Sequence, residues 1–136
     1  MRKILFVVTM TVLLLASSCA QPAEAPPPQE EGTIRVEVSR KGFNSTPGEF
    51  RLEVEEGQEV EIIFVYGDGD LGQNNPHIIT IPDYGLNTGV LDQENPEATV
   101  SFTAASTGEV AFMCTQVTCV GHTNMQGGII VIQPSR

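Results

Sequence analysis

From Thr33 onward, apolar side chains recur at every second position. Ile34, Val36 and Val38 alternate with polar partners, and so do Phe50, Leu52 and Val54. Val60, Ile62, Phe64 and Tyr66 repeat the pattern from Glu59. Further short runs follow over His77–Ile81, Ala98–Thr103, Val110–Cys114 and Ile129–Ile132. A period of two places alternate residues on opposite faces of a strand, and no segment sustains the 3.6-residue period of a helix. Turn-forming clusters separate the runs: Thr46-Pro47-Gly48, Glu56-Gly57, Gly67-Asp68-Gly69, Asn74-Asn75-Pro76, Ser106-Thr107-Gly108 and Gly127-Gly128. About seven short strands in roughly 100 residues predict an all-β Greek-key sandwich or barrel, without an internal repeat or a second domain.

The start of the chain follows a different rule. Met1-Arg2-Lys3 is basic, Ile4 to Ala16 is almost wholly apolar, and Ser17-Ser18-Cys19 follows. This is the layout of a signal peptide, too short in its apolar part for a comfortable permanent span. Ala16-Ser17-Ser18-Cys19 resembles a bacterial lipobox, in which the cysteine is lipidated and becomes the first residue. The reading is therefore a lipoprotein leader over 1–18 and acyl chains on Cys19. A tether over 19–32 follows, where QPAEAPPPQEEG offers nothing to bury. The folded domain is expected over 33–136, on the outer, periplasmic or extracytoplasmic side of a bacterial membrane.

Charge narrows the partners. The full sequence has 7 Lys and Arg against 17 Asp and Glu, a balance of −10. Removing Arg2 and Lys3 with the leader takes −10 to −12. Nucleic acid is excluded as a partner, because phosphate contacts need clustered cations. The acidic alternation over Glu53–Glu61 reads as a solvated strand face, and its one-sign field would also speed encounter with a basic partner.

The chemistry sits in few residues. Between 33 and 136 there are two His, two Cys and two Met. Cys114, Cys119, His122 and Met125 fall within the twelve residues CTQVTCVGHTNM, and His77 stands apart after Asn74-Asn75-Pro76. Thiolate and thioether are soft donors suited to Cu(I), imidazole serves Cu(II) as well, and zinc sites seldom use Met. Val110, Phe112 and Cys114 share a parity, which turns Cys114 toward the core. Met113 has the opposite parity and reads as packing. Asn74 and Asn75 read as turn residues, with a hydrogen-bonded tether to the ligand loop as the alternative. With both His assigned to metal, no acid–base or nucleophile–base pair remains, so the domain is expected not to be an enzyme.

These residues carry a family resemblance that covers Thr33 to Ile132. GEFRLEVEEGQEVEIIFVY, NNPHIITIP and GEVAFMC, followed by a His, a Met and a last strand, resemble the strands and ligand loop of a cupredoxin. The nearest subgroup resembles the CuA domain of cytochrome c oxidase subunit II and nitrous oxide reductase. That loop reads C-x3-C-x3-H-x2-M and holds two thiolate-bridged coppers. The resemblance implies copper, one or two ions, held by His77, Cys114, Cys119, His122 and Met125, with the backbone carbonyl of Gln116 as a further ligand. The spacing here is C-x4-C-x2-H-x2-M: Thr118 occupies the family position and Cys119 comes one residue later. Three outcomes follow. Both thiolates bridge two coppers; or one copper is held by His77, one Cys, His122 and Met125; or Cys114 and Cys119 form a disulfide and copper binding is weak or lost. The functions implied are electron transfer to a redox protein such as a cytochrome or terminal oxidase, or alternatively copper storage and delivery for oxidase assembly.

Overall fold

The structure is a computed structural model and describes residues 32–136. The expected leader, the expected lipidation site Cys19 and nearly all of the expected tether lie outside the described residues.

Nine strands follow in chain order: β1 (Thr33–Ser39), β2 (Gly42–Phe43), β3 (Glu49–Glu55), β4 (Glu59–Tyr66), β5 (Ile79–Ile81), β6 (Leu86–Asn87), β7 (Glu97–Thr103), β8 (Gly108–Cys114) and β9 (Gly127–Gln133). Short 3-10 turns occupy Pro82–Tyr84 and His122–Met125. One sheet runs β2-β1-β4-β7 and the other β3-β9-β8-β5-β6. Two of the pairings are parallel, β1 with β4 and β3 with β9, and the rest are antiparallel. Parallel neighbours cannot be joined by a tight hairpin. The chain therefore passes between sheets after β2, β3, β4, β6 and β7, which produces the Greek-key sandwich.

The period of two explains which residues meet between the sheets. Val36 and Val38, Val60, Ile62 and Phe64, Val100 and Phe102, Val110 and Phe112, and Ile130 and Ile132 are all buried. Each such side chain contributes roughly 1.5–3 kcal/mol by leaving water. Phe112 is central: its ring lies 4.7 Å from that of Phe43, 5.9 Å from Phe64 and 6.4 Å from Phe50. Two residues further on, the same face of β8 ends in the buried Cys114.

Two expectations are corrected. Gly127-Gly128 is not a turn but the start of β9, paired with Glu49 and Phe50 of β3. These glycines serve close approach. A Cβ on Gly128 would stand 2.5 Å from the Phe112 carbonyl oxygen and 2.6 Å from its ring. The other correction concerns His77, which does not begin a strand. It forms an isolated bridge with Leu91, and β5 starts two residues later. Strands β2 and β6, two residues each, are too short for any alternation to register in the sequence.

Candidate metal centre

Four donors form a line at one end of the sandwich. His77 is fixed by its backbone: its N–H donates to the Leu91 carbonyl at 2.9 Å and its carbonyl accepts from Leu91 at 2.8 Å. Its side chain is fully buried. The Nδ1 atom lies 3.9 Å from Cys114 Sγ. Cys114 Sγ is 3.6 Å from Cys119 Sγ, which in turn is 3.7 Å from His122 Nδ1. The ligand atoms of His77, Cys114 and Cys119 all lie within 4.8 Å of one another. Both cysteines are free thiols, so the sulfurs are neighbours without a disulfide.

The one-residue shift in spacing is absorbed by a local turn. The Cys119 N–H donates to the Gln116 carbonyl at 3.2 Å, which folds the four intervening residues back toward β8. Cys119 thereby reaches Cys114, while Thr118 is exposed and its hydroxyl accepts from the Gln116 amide at 3.1 Å. The Gln116 carbonyl stands 3.9 Å from Cys114 Sγ but is already engaged by Cys119. Gly121, at φ 78°, lets the chain turn against the β1–β2 loop. A Cβ there would fall 2.2 Å from the Arg40 carbonyl oxygen. The 3-10 turn that follows carries His122 at its start and the buried Met125 at its end. Met113 is half-buried on the other face of β8, opposite Thr80 of β5, as its parity predicts.

Three polar residues outside the donor set hold the loop. Asn75 pairs with the backbone of Val120 in both directions: the Val120 N–H donates to its Oδ1 at 2.7 Å, and its Nδ2 donates to the Val120 carbonyl at 3.1 Å. The tether reading of the Asn pair thus holds for Asn75, whereas Asn74 reaches Asp92 instead. Gln126 donates to the Cys114 and His122 carbonyls at 2.8 and 3.1 Å, and Asn124 donates to the Arg40 carbonyl at 2.8 Å. Asn75→Ala should leave the Val120 amide and carbonyl without these partners. The expected result is a loss of about 1–2 kcal/mol in urea unfolding of the metal-free domain. An unchanged unfolding midpoint would rule the tether out.

Asp68 completes the surroundings, and sequence reasoning missed it by reading Gly67-Asp68-Gly69 as a turn. It is fully buried, and its Oδ2 lies 2.9 Å from His77 Nε2. Burial opposes its charge, but bonds from the Arg40 backbone N–H, His77 and Asn75 outweigh that and hold the carboxyl below its ordinary range. Burial also disfavours the charged form at both sulfurs. At Cys114 the bond with His77 leads the opposing effects, and the thiol is shifted down. At Cys119 burial and the charge of Cys114 act together and push the thiol up. The pair therefore titrates as a unit, with Cys114 the first thiolate.

The donor spacing suits a metal ion. With metal–sulfur bonds of about 2.3 Å, two thiolates on one tetrahedral ion stand roughly 3.8 Å apart, close to the 3.6 Å seen here. Soft sulfur beside imidazole, in a buried pocket, is a donor set for copper or zinc rather than for hard cations.

No family model and no curated protein matches the chain. Solved structures do. The solution structure of a copper binding protein in its apo form is 26% identical, with a TM-score of 0.54, covering 78% of this chain and 93% of that one. The metal binding domain of the Streptococcus pneumoniae Cu(I) exporting P-type ATPase, with Cu(I), is 22% identical at a TM-score of 0.53, covering 78% and 91%. A heme-copper terminal oxidase dimer matches at 19% identity and a TM-score of 0.54, covering 82% and 76%. With its two-sheet Greek-key topology, the described domain has the cupredoxin-like fold, and its Cys and His cluster lies at one end of it.

Proposed function

We propose that this domain binds copper at His77, Cys114 and Cys119, with His122 and Met125 of the same loop as further ligands, and serves as an electron carrier. The observation that carries this reading is the buried His–Cys–Cys cluster, in which three donors converge without a disulfide. A donor set fixed by β8, the Leu91 bridge and the Asn75 clamp has little freedom to rearrange between Cu(II) and Cu(I), which favours rapid electron exchange. The compact triad suits one ion. The lipobox-like Ala16-Ser17-Ser18-Cys19 and the Pro/Glu-rich tether support a lipoprotein held outside the cytoplasmic membrane. The partner would be a redox protein such as a cytochrome or terminal oxidase. Its approach is expected over the ligand loop, where Val117 is 76% and Val120 46% exposed.

Copper titration tests the reading. One Cu(II) per domain, an intense thiolate-to-copper absorption band and reversible voltammetry are expected. Two coppers with a mixed-valence electron paramagnetic resonance pattern would overturn the single-ion reading. Absence of copper uptake would overturn the function as a whole.

A second reading, copper storage or delivery, is favoured by the likeness to the Cu(I)-bound domain of an exporting ATPase. It predicts tight Cu(I) binding, no stable coloured Cu(II) form, and transfer of Cu(I) to an acceptor faster than spontaneous release.

A further inference from the structure

Asp68 has an unusual set of neighbours. Every polar group facing it is a donor. The Arg40 backbone N–H reaches both carboxylate oxygens at 2.9 Å. The Arg40 guanidinium donates to Oδ1 at 3.1 Å and the Asn75 amide to Oδ2 at 2.7 Å. His77 Nε2 stands at 2.9 Å from the same Oδ2. Among side chains of this size, only a carboxylate satisfies all of these, because an amide would set a donor against a donor.

The geometry has a consequence for His77. Its Nδ1 faces Cys114 Sγ, and its Nε2 faces the carboxylate. A carboxylate accepting from Nε2–H fixes the proton on that nitrogen and leaves the Nδ1 lone pair free to bind a metal. The negative charge behind the ring also makes the imidazole a stronger donor, which favours Cu(II) over Cu(I). Arg40 works against this. Its guanidinium sits on the far side of Asp68, reaches Asp70 at 2.8 Å, and draws off part of the field.

We propose that Asp68 is a positioning residue of the metal site: it selects the metal-binding tautomer of His77 and lowers the reduction potential of the bound copper, with Arg40 as its counterweight. The proposal rests on the functional reading that His77 binds copper, here through the Nδ1 that faces Cys114.

The test uses the whole domain with copper, and the first measurement is copper uptake by the unaltered protein. If that fails, the functional reading falls and this proposal with it. If it succeeds, Asp68→Asn is compared with the unaltered protein by voltammetry, Cu(II) release to a chelator and urea unfolding of the metal-free form. Asparagine keeps the shape but places an N–H against one of the donors. Cu(II) affinity is expected to fall 10- to 100-fold with little change for Cu(I). Each factor of ten raises the one-electron potential by about 59 mV. An unchanged potential and release rate, with only the unfolding midpoint lowered, would make Asp68 a mere brace and overturn the proposal. Where Asp68→Asn does not fold, Arg40→Met decides. It keeps the backbone N–H bonds and removes only the counter-charge. A downward shift in potential supports the proposal, and no shift or an upward one overturns it.

Discussion

Cys114→Ser is expected to abolish the thiolate-to-copper absorption band and to weaken copper binding by more than the 10- to 100-fold that an outer partner typically costs. Cys114 stands between His77 at 3.9 Å and Cys119 at 3.6 Å, the other two members of the buried triad. Its thiol is also the one of the two shifted down, with the bond from His77 leading the effects that oppose burial. A serine hydroxyl is hard, shorter in reach and protonated at neutral pH, so it replaces neither the softness nor the charge. Cys119→Ser is expected to be milder, because His77 and Cys114 remain in place and Cys119 is the sulfur whose proton is held more tightly. Titration of both variants with Cu(II), read by absorption and by retained metal after gel filtration, checks the pair. A Cys114→Ser protein that keeps an intense band while Cys119→Ser loses it would reverse the assignment.

Phe112→Ala should destabilise the metal-free domain by about 3–5 kcal/mol, a large share of the roughly 5–15 kcal/mol that a small domain has. Phe112 is fully buried and packs against Phe43, Phe50 and Phe64, so its loss opens a cavity lined from both sheets. The edge of that cavity borders the candidate metal centre. Gly128 packs directly on the Phe112 ring, and Cys114 follows on the same face of β8. The variant should therefore also bind copper less tightly, although it removes no donor. Urea unfolding followed by circular dichroism measures the first effect. A loss below about 1 kcal/mol would show that the neighbouring rings close the gap.

Much of this was legible in the sequence because it depends on periodicity and donor chemistry. Alternation at β1, β3, β4, β7 and β8 placed the core residues correctly. The shared parity of Val110, Phe112 and Cys114 placed the sulfur on the inner face. The less legible parts lack a local signature. Strand β6 exists because β5 offers it an edge, not because Leu86-Asn87 has a pattern. Gly127-Gly128 looks like a turn, since the reason for two glycines is the backbone of β3 and the ring of Phe112, both distant in sequence. Asp68 lies nine residues before His77 in a segment rich in turn formers, and nothing local marks it as buried. Its partner Arg40 lies 28 residues away from it in sequence. The arrival of Cys119 beside Cys114 likewise depends on one backbone hydrogen bond, Cys119 to Gln116, that spacing alone does not reveal.

The position of β9 between β3 and β8 sets the order in which the protein can be born. Residues 127–133 join the strand that precedes the ligand loop to one laid down nearly eighty residues earlier. Until that last strand has emerged, β3 has no neighbour, β8 lacks one edge, and the loop carrying Cys119 and His122 has only one anchored end. Pairings of such long separation form late and slowly. A nascent chain therefore presents two unshielded thiols to its surroundings before it owns a pocket to hold metal. Shielding or reduction of those thiols would matter most in that interval.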